Sequence, residues 1–410
     1  METIVVVGLG YIGLPTAAAL ARAGHRVIGV DVSDRHVDAV NRGEVPFVEP
    51  DLADVVKDNV DAGRLSATKA TPAADVYIIA VPTPFTDGHR ADLSYIDAAT
   101  DAIAPQLTGG ELVILESTSP PGTTDHVRAV LANARPDLTD LQFAHCPERV
   151  LPGRIMVELI TNDRIVGGLS REAAEHAASI YKSFCEGQIH LTDAATAEMA
   201  KLTENAFRDV NIAFANELSI ISDHLGIDVW ELIELANKHP RVNILQPGPG
   251  VGGHCIAVDP WFIVSSAPQQ SKLIQKARSV NDAKPGWVID QVRERLAPLP
   301  SPVLAVLGLA FKADVDDLRE SPAIEIVERL AREFPEARIL AVEPNIVELP
   351  KDLAGRGVIL TELSEALDES NVVLMLVDHR EFRAIPAEAL TGKQVIDTKG
   401  VWRKPRNLVV

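Results

Sequence analysis

Short apolar runs alternate with helix-like segments through the first part of the chain. Each apolar run has the length of a buried strand, and the stretches between them, such as Pro15–Ala23 and Leu93–Ile103, have helical composition. Alternation of this kind predicts a parallel sheet with helices packed on both faces. The predicted strands are Thr3–Gly8, Arg26–Asp31, Val76–Val81, Glu111–Glu116, Gln142–Cys146 and Arg164–Gly168.

A different pattern begins near Ala194. Residues 196–225 contain neither Gly nor Pro and carry apolar side chains at helical spacing. They predict a single helix of ~30 residues, which would be ~45 Å long. Val229–Lys238 and Ser271–Leu296 also have helical composition, with a glycine-rich loop between them. We therefore interpret residues 195–296 as an all-helical central section.

The proline-rich segment Ala297–Pro302 is the clearest domain boundary. Beyond it the α/β alternation returns, and Pro322 falls in the first turn of a predicted helix at Ser321–Phe334, where proline is tolerated. The sequence thus predicts an α/β protein with two doubly wound Rossmann-like lobes joined by an all-helical central section with a long helix. The predicted strands of the second lobe are Val303–Leu309, Arg338–Val342, Val372–Leu376 and Gln394–Asp397. The predicted domains are residues 1–194, 195–296 and 303–410.

Length and charge limit the class of protein. The chain has 410 residues, more than a single hydrophobic core usually supports. Its formal net charge of −19 disfavours binding to nucleic acid or to an anionic membrane, since both attract basic surfaces. Cys146, Cys185 and Cys255 have neither the number nor the spacing of a disulfide framework or a metal site. No apolar run approaches the ~20 residues that span a bilayer, and the first residues lack the features of a signal peptide. We therefore expect a cytoplasmic enzyme without a bound metal.

The first predicted strand runs into a glycine fingerprint, Gly8-x-Gly10-x-x-Gly13, which opens the first helix. In this setting the glycines permit a tight turn, close approach of a pyrophosphate and close helix packing. Asp31 ends the next strand, where its carboxylate would bind ribose hydroxyls and repel a 2′-phosphate, so we predict NAD rather than NADP. Arg35 and Thr124 are candidate cofactor contacts. Arg35 lies close enough to stack on adenine or to cover the pyrophosphate, but it is also consistent with a solvated surface arginine, and Thr124 is also consistent with a helix cap. The remaining candidate cofactor contacts are Tyr11, Ile12, Thr83 and Thr118.

The long predicted helix places Lys201, Asn205 and Arg208 on one face, at i, i+4 and i+7. Such a stripe alone is more often a solvated helix face. Downstream, however, the glycine-rich loop Pro249–Pro260 contains Cys255, and Asp259 follows four residues later. A thiolate is suited to oxidation beyond the aldehyde, because it forms a tetrahedral adduct that can lose a second hydride. The sequence therefore predicts a dehydrogenase that performs two oxidations at one site.

These motifs resemble the UDP-sugar 6-dehydrogenases, the UDP-glucose and UDP-N-acetylhexosamine family, nearly end to end. Within the family, Thr203–Asn211 and His239–Pro249 are most similar to the branch that oxidises UDP-N-acetyl-D-mannosamine. Val258 stands where UDP-glucose enzymes usually have a lysine, which disfavours glucose. The segments that carry the resemblance are Gly8–Gly13, Glu116–Thr124, Cys146–Gly153, Ala197–Asn216, Pro249–Pro260 and Phe311–Pro322.

The resemblance implies NAD-dependent, four-electron oxidation of C6 of UDP-N-acetyl-D-mannosamine to the uronate. It implies that Asp259 and a water held by Asn205 remove the hydroxyl proton, while Lys201 stabilises the alkoxide-like oxygen. Cys255 then carries the thiohemiacetal and the thioester, and Glu148 is the candidate to activate the hydrolytic water. The residues expected to contact the sugar nucleotide are Arg149, Val150, Lys201, Asn205, Arg208, His239, Arg241, Gly252, Lys312 and Arg319.

The family pairs its subunits through the long central helix, so we expect a homodimer or a higher homo-oligomer. The candidate interface residues are Met199, Phe207, Phe214 and Ile221. Three alternatives stay open. A UDP-N-acetylglucosamine or UDP-glucose 6-dehydrogenase is the first. The second is a single-step hydroxyacid dehydrogenase, which would release one NADH per substrate, and the third is a non-catalytic NAD-binding protein, which would lack a catalytic residue.

Overall fold

The computed structural model describes residues 2–86, 88–151, 153–253 and 255–403. The chain folds into two compact units. The first unit comprises Met1–Glu204 and Trp261–Pro268, and the second comprises Asn205–Pro260 and Gln269–Val410. The predicted division into three domains stays a prediction.

The first unit is built on a central sheet that confirms the predicted α/β class. Its strands are β1 (Thr3–Val7), β2 (Arg26–Val30), β3 (Leu65–Thr68), β4 (Val76–Ile79), β5 (Phe85–Thr86), β6 (Arg90–Ala91), β7 (Leu112–Leu115), β8 (Gln142–His145), β9 (Arg164–Gly168) and β10 (Ile189–Asp193). The order across the central sheet is β10-β9-β8-β7-β4-β1-β2-β3, and β5 pairs with β6 in a separate hairpin. The strand order reverses beside β1, so the loop after β1 lies where ligands bind in doubly wound sheets.

Helices cover both faces of this sheet. They are α1 (Gly13–Arg22), α2 (Asp34–Asn41), α3 (Leu52–Asp61), α4 (Ser94–Ile103), α5 (Thr123–Ala134), α6 (Ile155–Thr161) and α7 (Arg171–Lys182). Ile4 and Val6 pack into one core with α1, α3, α6 and α7. Val5 and Val7 point to the other face and pack with α4 and α5. The unbroken apolar run of β1 therefore packs against helices on both faces of the sheet, as expected for a strand buried on both sides.

Two features of the sheet differ from the expectation. Strand β9 runs antiparallel to β8, and β10 is parallel to β9, so this edge is inverted. The alternation of apolar and helical segments carries no information on strand direction, which explains the difference. Strands β3 and β10 were not predicted, because each lies at an edge of the sheet, where β3 buries two of its four side chains and β10 buries none. Edge strands lack the continuous apolar run of a central strand.

The helical section contains α8 (Ala194–Leu225), α9 (Val229–Ala236), α10 (Asp259–Ser266) and α11 (Lys272–Leu296). The 32-residue α8 confirms the predicted long helix. Helix α9 begins where the Asp228 carboxylate accepts hydrogen bonds from the N–H groups of Trp230 and Glu231, at 2.9 and 3.1 Å. Within the described ranges, none of the helices combines the length and the apolar character needed to cross a bilayer.

The second unit ends in a smaller lobe of the same type. Its strands are β11 (Val303–Leu307), β12 (Arg338–Val342), β13 (Ile359–Leu360), β14 (Val372–Met375) and β15 (Gln394–Asp397), and its helices are α12 (Pro322–Glu333), α13 (Lys351–Ala354), α14 (Leu363–Glu369) and α15 (Arg380–Arg383). All pairings are parallel in the order β13-β12-β11-β14-β15. Leu304 and Val306 face α11 and α12, whereas Ala305 and Leu307 face α14 and α15.

The loops after β1 and β11 are held by the same device. In the first lobe, Leu9 N–H donates to the Asp31 carboxylate at 2.8 Å. In the second lobe, Leu309 N–H donates to Glu343 at 2.7 Å. Each carboxylate follows the neighbouring strand of its sheet. Glu343 is also bonded to Ala310 N–H and to the buried His379 ring, so its oxygens are used inside the lobe.

Candidate active site

The three fingerprint glycines have three different environments, which fit a bound dinucleotide. Gly8 has a φ of +98°, and a Cβ there would lie 2.5 Å from the carbonyl oxygen of Ala80. A Cβ on Gly13 would lie 1.9 Å from the carbonyl oxygen of Gly8. By contrast, a Cβ on Gly10 would have no protein atom within 4 Å. Gly8 and Gly13 are thus required by the chain itself, whereas Gly10 leaves room for a pyrophosphate.

Gly10→Ala and Gly13→Ala are expected to separate cofactor binding from folding. Since the Gly10 position is open, its methyl group should hinder only the approach of pyrophosphate, weakening NAD binding by about tenfold or more at unchanged Tm. The methyl group of Gly13→Ala collides with backbone, so that variant should unfold at lower temperature. Calorimetric titration with NAD and thermal unfolding measure the two effects. Wild-type NAD affinity in Gly10→Ala would contradict this placement of the pyrophosphate.

Asp31 lies at the end of β2, where the sequence places it. Its carboxylate accepts from Leu9 N–H and Ser33 N–H, each at 2.8 Å, and Oδ2 lies 3.3 Å from His36 Nδ1. The carboxylate therefore shapes the loop that follows β1 as well as standing at the predicted ribose position. Each carboxylate oxygen offers two acceptor sites, so these bonds leave capacity for a ribose hydroxyl.

The other candidate cofactor residues differ in how far the structure engages them. Tyr11 stacks on Phe47 with ring centroids 4.2 Å apart, and Ile12 precedes the first turn of α1. Arg35 is exposed and donates to the carbonyl of Pro46 at 3.5 Å. The buried Oγ1 of Thr83 has no hydrogen-bond partner among the described residues, which fits a ligand contact. Thr118 is half-buried in the loop after β7.

Thr124 is held by a residue that the sequence did not single out. Glu198 of α8 accepts from the Thr124 hydroxyl at 2.6 Å and from the N–H groups of Thr124 and Gly122 at 2.7 and 2.6 Å. Burial raises the pKa of Glu198, while these hydrogen bonds lower it. The N-terminus of α5 is thereby capped from α8, and the Thr124 hydroxyl is used in that cap.

The loop after β8 carries Glu148, Arg149 and Val150 in the first unit. Glu148 is buried, and its Oε1 and Oε2 accept from Arg149 N–H at 2.6 Å and from the Arg164 guanidinium at 2.9 Å. The Arg149 side chain bonds to Glu204 at 2.7 Å and to the carbonyl of Asp163 at 3.0 Å. Val150 packs on the core beneath the sheet. The loop is therefore fixed by its own charged groups.

Cys255 and Asp259 come together with Asn205 in the second unit. The Cys255 thiol is exposed, and its carbonyl accepts from the N–H groups of Val258 and Asp259 at 3.0 and 2.9 Å. This turn leads directly into α10, whose first residue is Asp259. Asn205 Nδ2 donates to Asp259 Oδ2 at 2.6 Å, and Asp259 is buried. The structure thus joins two of the predicted catalytic residues across 54 positions of sequence.

The glycine loop packs tightly on the motif predicted to bind UDP. A Cβ on Gly252 would lie 2.3 Å from the carbonyl oxygen of Glu320, and Gly253 N–H donates to that same oxygen at 3.2 Å. The ring of Phe311 lies against Gly253. Because the backbone of Gly252 packs directly on the backbone of Glu320, position 252 has no room for a side chain. The substrate contact that the family resemblance implies for Gly252 would therefore have to come from its main chain.

The cationic substrate candidates are mostly exposed. Lys312, Arg208, His239 and Arg241 present their side chains to solvent, and His239 Nδ1 accepts from Arg241 N–H at 3.3 Å. Arg319 instead forms a two-pronged pair with Asp317, at 2.8 and 2.6 Å. A diphosphate would have to compete with that carboxylate for the Arg319 fork. Lys201, one turn before Asn205 in α8, is half-buried.

Comparison with known families decides the identity of these parts. Residues 2–185 match the NAD-binding domain of the UDP-glucose/GDP-mannose dehydrogenase family, residues 195–283 match its central domain, and residues 305–404 match its UDP-binding domain. The chain belongs to this family. The predicted NAD cofactor is thereby confirmed, since the fingerprint and Asp31 lie in the family's NAD-binding domain.

The similar members of the family are named for different sugars. The chain is 56% identical to a UDP-N-acetyl-D-mannosamine dehydrogenase of Salmonella typhi, over 98% of this chain and 99% of the relative. It is 54% identical to an NDP-N-acetyl-D-galactosaminuronic acid dehydrogenase of Ralstonia nicotianae, over 99% of this chain and 97% of the relative. The UDP-D-ManNAc dehydrogenase structure from Pyrococcus horikoshii matches with a TM-score of 0.88 at 38% identity, covering 100% of this chain and 98% of that one.

In this family member the second unit also contains a cavity that the sequence did not indicate. It has a volume of about 260 Å³ and is bounded by Pro247 and Gly248, which precede the glycine loop, and by Trp230. Lys284 is buried in its wall, bonded to Ser219, with Nζ 3.7 Å from the Trp287 ring centroid. Burial lowers the pKa of Lys284 to about 7. No local pattern distinguishes such a lysine from a surface one.

Proposed function

We propose that this protein is an NAD-dependent UDP-N-acetyl-D-mannosamine 6-dehydrogenase that forms the uronate in two oxidations. The observation that carries the proposal is the Asn205–Asp259 hydrogen bond directly after the exposed Cys255. This arrangement supplies a base and a nucleophile from one loop and one helix. The 56% identical relative named for this substrate supports the choice of sugar.

The first oxidation needs removal of a proton from the C6 hydroxyl. Asp259 accepts that proton, directly or through a water positioned by Asn205, whose amide already fixes one oxygen of the carboxylate. Lys201 carries the positive charge that stabilises the alkoxide-like oxygen in the transition state. The glycine fingerprint and Asp31 would hold NAD, which would accept the hydride that leaves C6 in each oxidation.

The second oxidation requires covalent attachment. The Cys255 thiolate adds to the aldehyde carbon to give a thiohemiacetal alkoxide, and this adduct loses its remaining hydrogen from C6 as hydride, leaving a thioester. Water then attacks the thioester carbonyl, its proton passes to Glu148, and the carbon–sulfur bond breaks to release the acid and restore the thiolate. One sugar thus reduces two NAD molecules.

Nucleotide recognition is assigned to the remaining basic residues. Lys312 and Arg319 are proposed to bind the diphosphate, Arg319 by exchanging Asp317 for phosphate oxygens. The tight packing of the glycine loop on Glu320 supports this, because it fixes the Cys255 loop to the segment that carries Arg319. Arg149, Val150, Arg208, His239 and Arg241 are proposed as further sugar or nucleotide contacts.

A panel of nucleotide sugars with an NADH readout tests the proposal. The panel contains UDP-N-acetyl-D-mannosamine, UDP-N-acetylglucosamine, UDP-N-acetylgalactosamine and UDP-glucose. The galactosamine sugar is included because of the 54% identical relative. We expect the highest kcat/KM for the mannosamine sugar and two NADH per sugar. One NADH per sugar would contradict the two-step reaction. A higher kcat/KM for another sugar of the panel would make that sugar the substrate in place of UDP-N-acetyl-D-mannosamine.

We also propose that the protein is a homodimer or a higher homo-oligomer formed through α8. Three apolar side chains at seven-residue spacing are exposed in the second unit: Phe207 (68%), Phe214 (51%) and Ile221 (47%). Residues seven apart lie on the same face of a helix, so this stripe is continuous. Exposed large apolar side chains in a row are typical of an interface.

Phe214→Asp is expected to convert the oligomer to a monomer. Association would bury the introduced carboxylate without a partner, which is unfavourable. Light scattering coupled to size-exclusion chromatography measures the mass of each species. Val347→Asp is the matched control, since Val347 is almost fully exposed elsewhere in the same unit. A monomeric wild type, or an unchanged mass of Phe214→Asp, would contradict the proposal.

A further inference from the structure

A buried cluster of ionisable groups lies beneath the Glu148 loop in the first unit. It consists of Glu116, Cys146, Glu148, Arg164 and Tyr181, and we name it the Arg164 cluster. The side chains of Arg164 and Glu148 are only 4% and 7% exposed, and their nitrogen and oxygen atoms lie 2.9 Å apart. We propose that Arg164 is a positioning residue, which orients the Glu148 carboxylate for hydrolysis of the Cys255 thioester. This inference rests on the proposed function.

The guanidinium of Arg164 is held from several directions. Its central carbon lies 4.8 Å from the Tyr181 ring centroid and 5.2 Å from that of Phe184. One nitrogen lies 3.7 Å from the Cys146 sulfur, and a second bonds to Glu148. A planar group between two rings and a carboxylate has little freedom to rotate. The Arg164 guanidinium is therefore held in one orientation, and its hydrogen bond holds the Glu148 carboxylate in one orientation as well.

The two hydrogen bonds of Glu148 leave acceptor capacity for a water. Oε1 accepts from Arg149 N–H and Oε2 accepts from Arg164. Since a carboxylate offers about four acceptor sites, each oxygen keeps one site of defined direction. A base held in this way presents its lone pair at a set angle, which is what activation of an attacking water requires.

Glu116 shows how the cluster balances its charge. Its Oε1 accepts from the Thr16 hydroxyl at 3.3 Å and from the Tyr181 hydroxyl at 3.2 Å. Its Oε2 is buried without a hydrogen-bond partner among the described residues. Burial, and then the charge of Glu148, raise the pKa of Glu116. A neutral Glu116 leaves the single positive charge of Arg164 to Glu148.

Among the groups that face Glu116, only Glu116 itself should change charge between neutral and moderately alkaline pH. Burial raises the pKa of Cys146 to about 12, and it raises the pKa of Tyr181 well above its usual value. Arg164 stays charged, because its pKa is raised by Glu148 despite burial. As pH rises, Glu116 loses its proton and competes with Glu148 for Arg164. Thioester hydrolysis should then slow on the alkaline side.

The test follows the covalent intermediate on Cys255 in the full-length enzyme with UDP-N-acetyl-D-mannosamine and NAD. For Arg164→Lys we expect a rapid NADH burst of wild-type size, followed by turnover reduced by about tenfold or more, because only hydrolysis needs the oriented base. Intact-mass spectrometry after acid quench should show the thioester accumulating. kcat/KM for the sugar should stay within about twofold of the wild-type value while KM falls with kcat, since the steps up to the thioester are unchanged. Arg171→Lys, on the exposed face of α7, is the matched control.

A second variant keeps the proposal testable if Arg164→Lys does not fold. Glu116→Gln removes the titrating proton at nearly constant shape, so the alkaline decline of thioester hydrolysis should disappear. Turnover of Arg164→Lys at the wild-type rate, equal loss of the burst and of steady turnover, or an unchanged alkaline decline in Glu116→Gln would each overturn the positioning role. Formation of only one NADH per sugar by the wild type would instead overturn the proposed function, and this inference with it.

Discussion

Cys255→Ser is expected to abolish uronate formation while NAD still binds. A serine hydroxyl is not ionised at neutral pH and cannot replace a thiolate as the nucleophile that captures the aldehyde. Loss of a catalytic nucleophile lowers kcat by roughly 10³-fold or more. Mass-spectrometric measurement of the uronate gives the loss of product, and calorimetric titration with NAD shows that the cofactor site is intact. Any NADH that remains should reflect the first oxidation alone, with an aldehyde that a hydrazine reagent can trap.

Cys185→Ser is the matched control for that experiment. Cys185 is buried, and its thiol donates to the carbonyl of Asn162 at 3.4 Å. A hydroxyl of similar size can make the same bond, so this variant should keep wild-type turnover. Uronate produced at the wild-type rate by Cys255→Ser would show that the thiol is not the nucleophile. The two-step proposal would then have to be abandoned.

The local sequence pattern predicts the central strands and the long helix, but it predicts the residues at which strands end less well. Central strands such as β1 and β7 bury side chains on both faces, so their apolar runs are recognisable, and the structure ends each one before its predicted end. The absence of Gly and Pro over residues 196–225 similarly predicts α8. Edge strands β3 and β10 escape this reasoning because their side chains are partly exposed. The inverted direction of β9 depends on how the chain returns to the sheet.

In the candidate site too, features that depend on a short motif could be predicted, whereas contacts between distant residues could not. The roles of the glycines at positions 8, 10 and 13 follow from a short motif, and the structure gives each the space that its role requires. The bond between Asn205 and Asp259 joins positions 54 residues apart. Packing of the whole unit creates such a contact, and no local pattern encodes it. Arg164 was recognised only as a strand residue, because its ion pair, ring contacts and burial exist only in the folded chain.

Lys201→Ala is expected to slow the first oxidation by about 10²- to 10³-fold, the usual cost of removing a group that stabilises a developing oxyanion. Alanine is the best helix former, so α8 should be unaffected by the change. The lysine charge matters mainly in the transition state, where the hydroxyl oxygen becomes negative, so KM for the sugar should change far less than kcat. Stopped-flow measurement of the first NADH gives the rate of this step.

The lysine and cysteine variants should fail at different points of the same reaction. Lys201→Ala should delay the first NADH, whereas Cys255→Ser should remove the second, and this difference assigns each residue to its step. Lys182→Ala is the control for the loss of one positive charge, because Lys182 is exposed in the last turn of α7. If Lys201→Ala produced its first NADH as fast as the Lys182 control, the alkoxide would be stabilised by another group, and Arg208, two turns further along α8, would be the first to test.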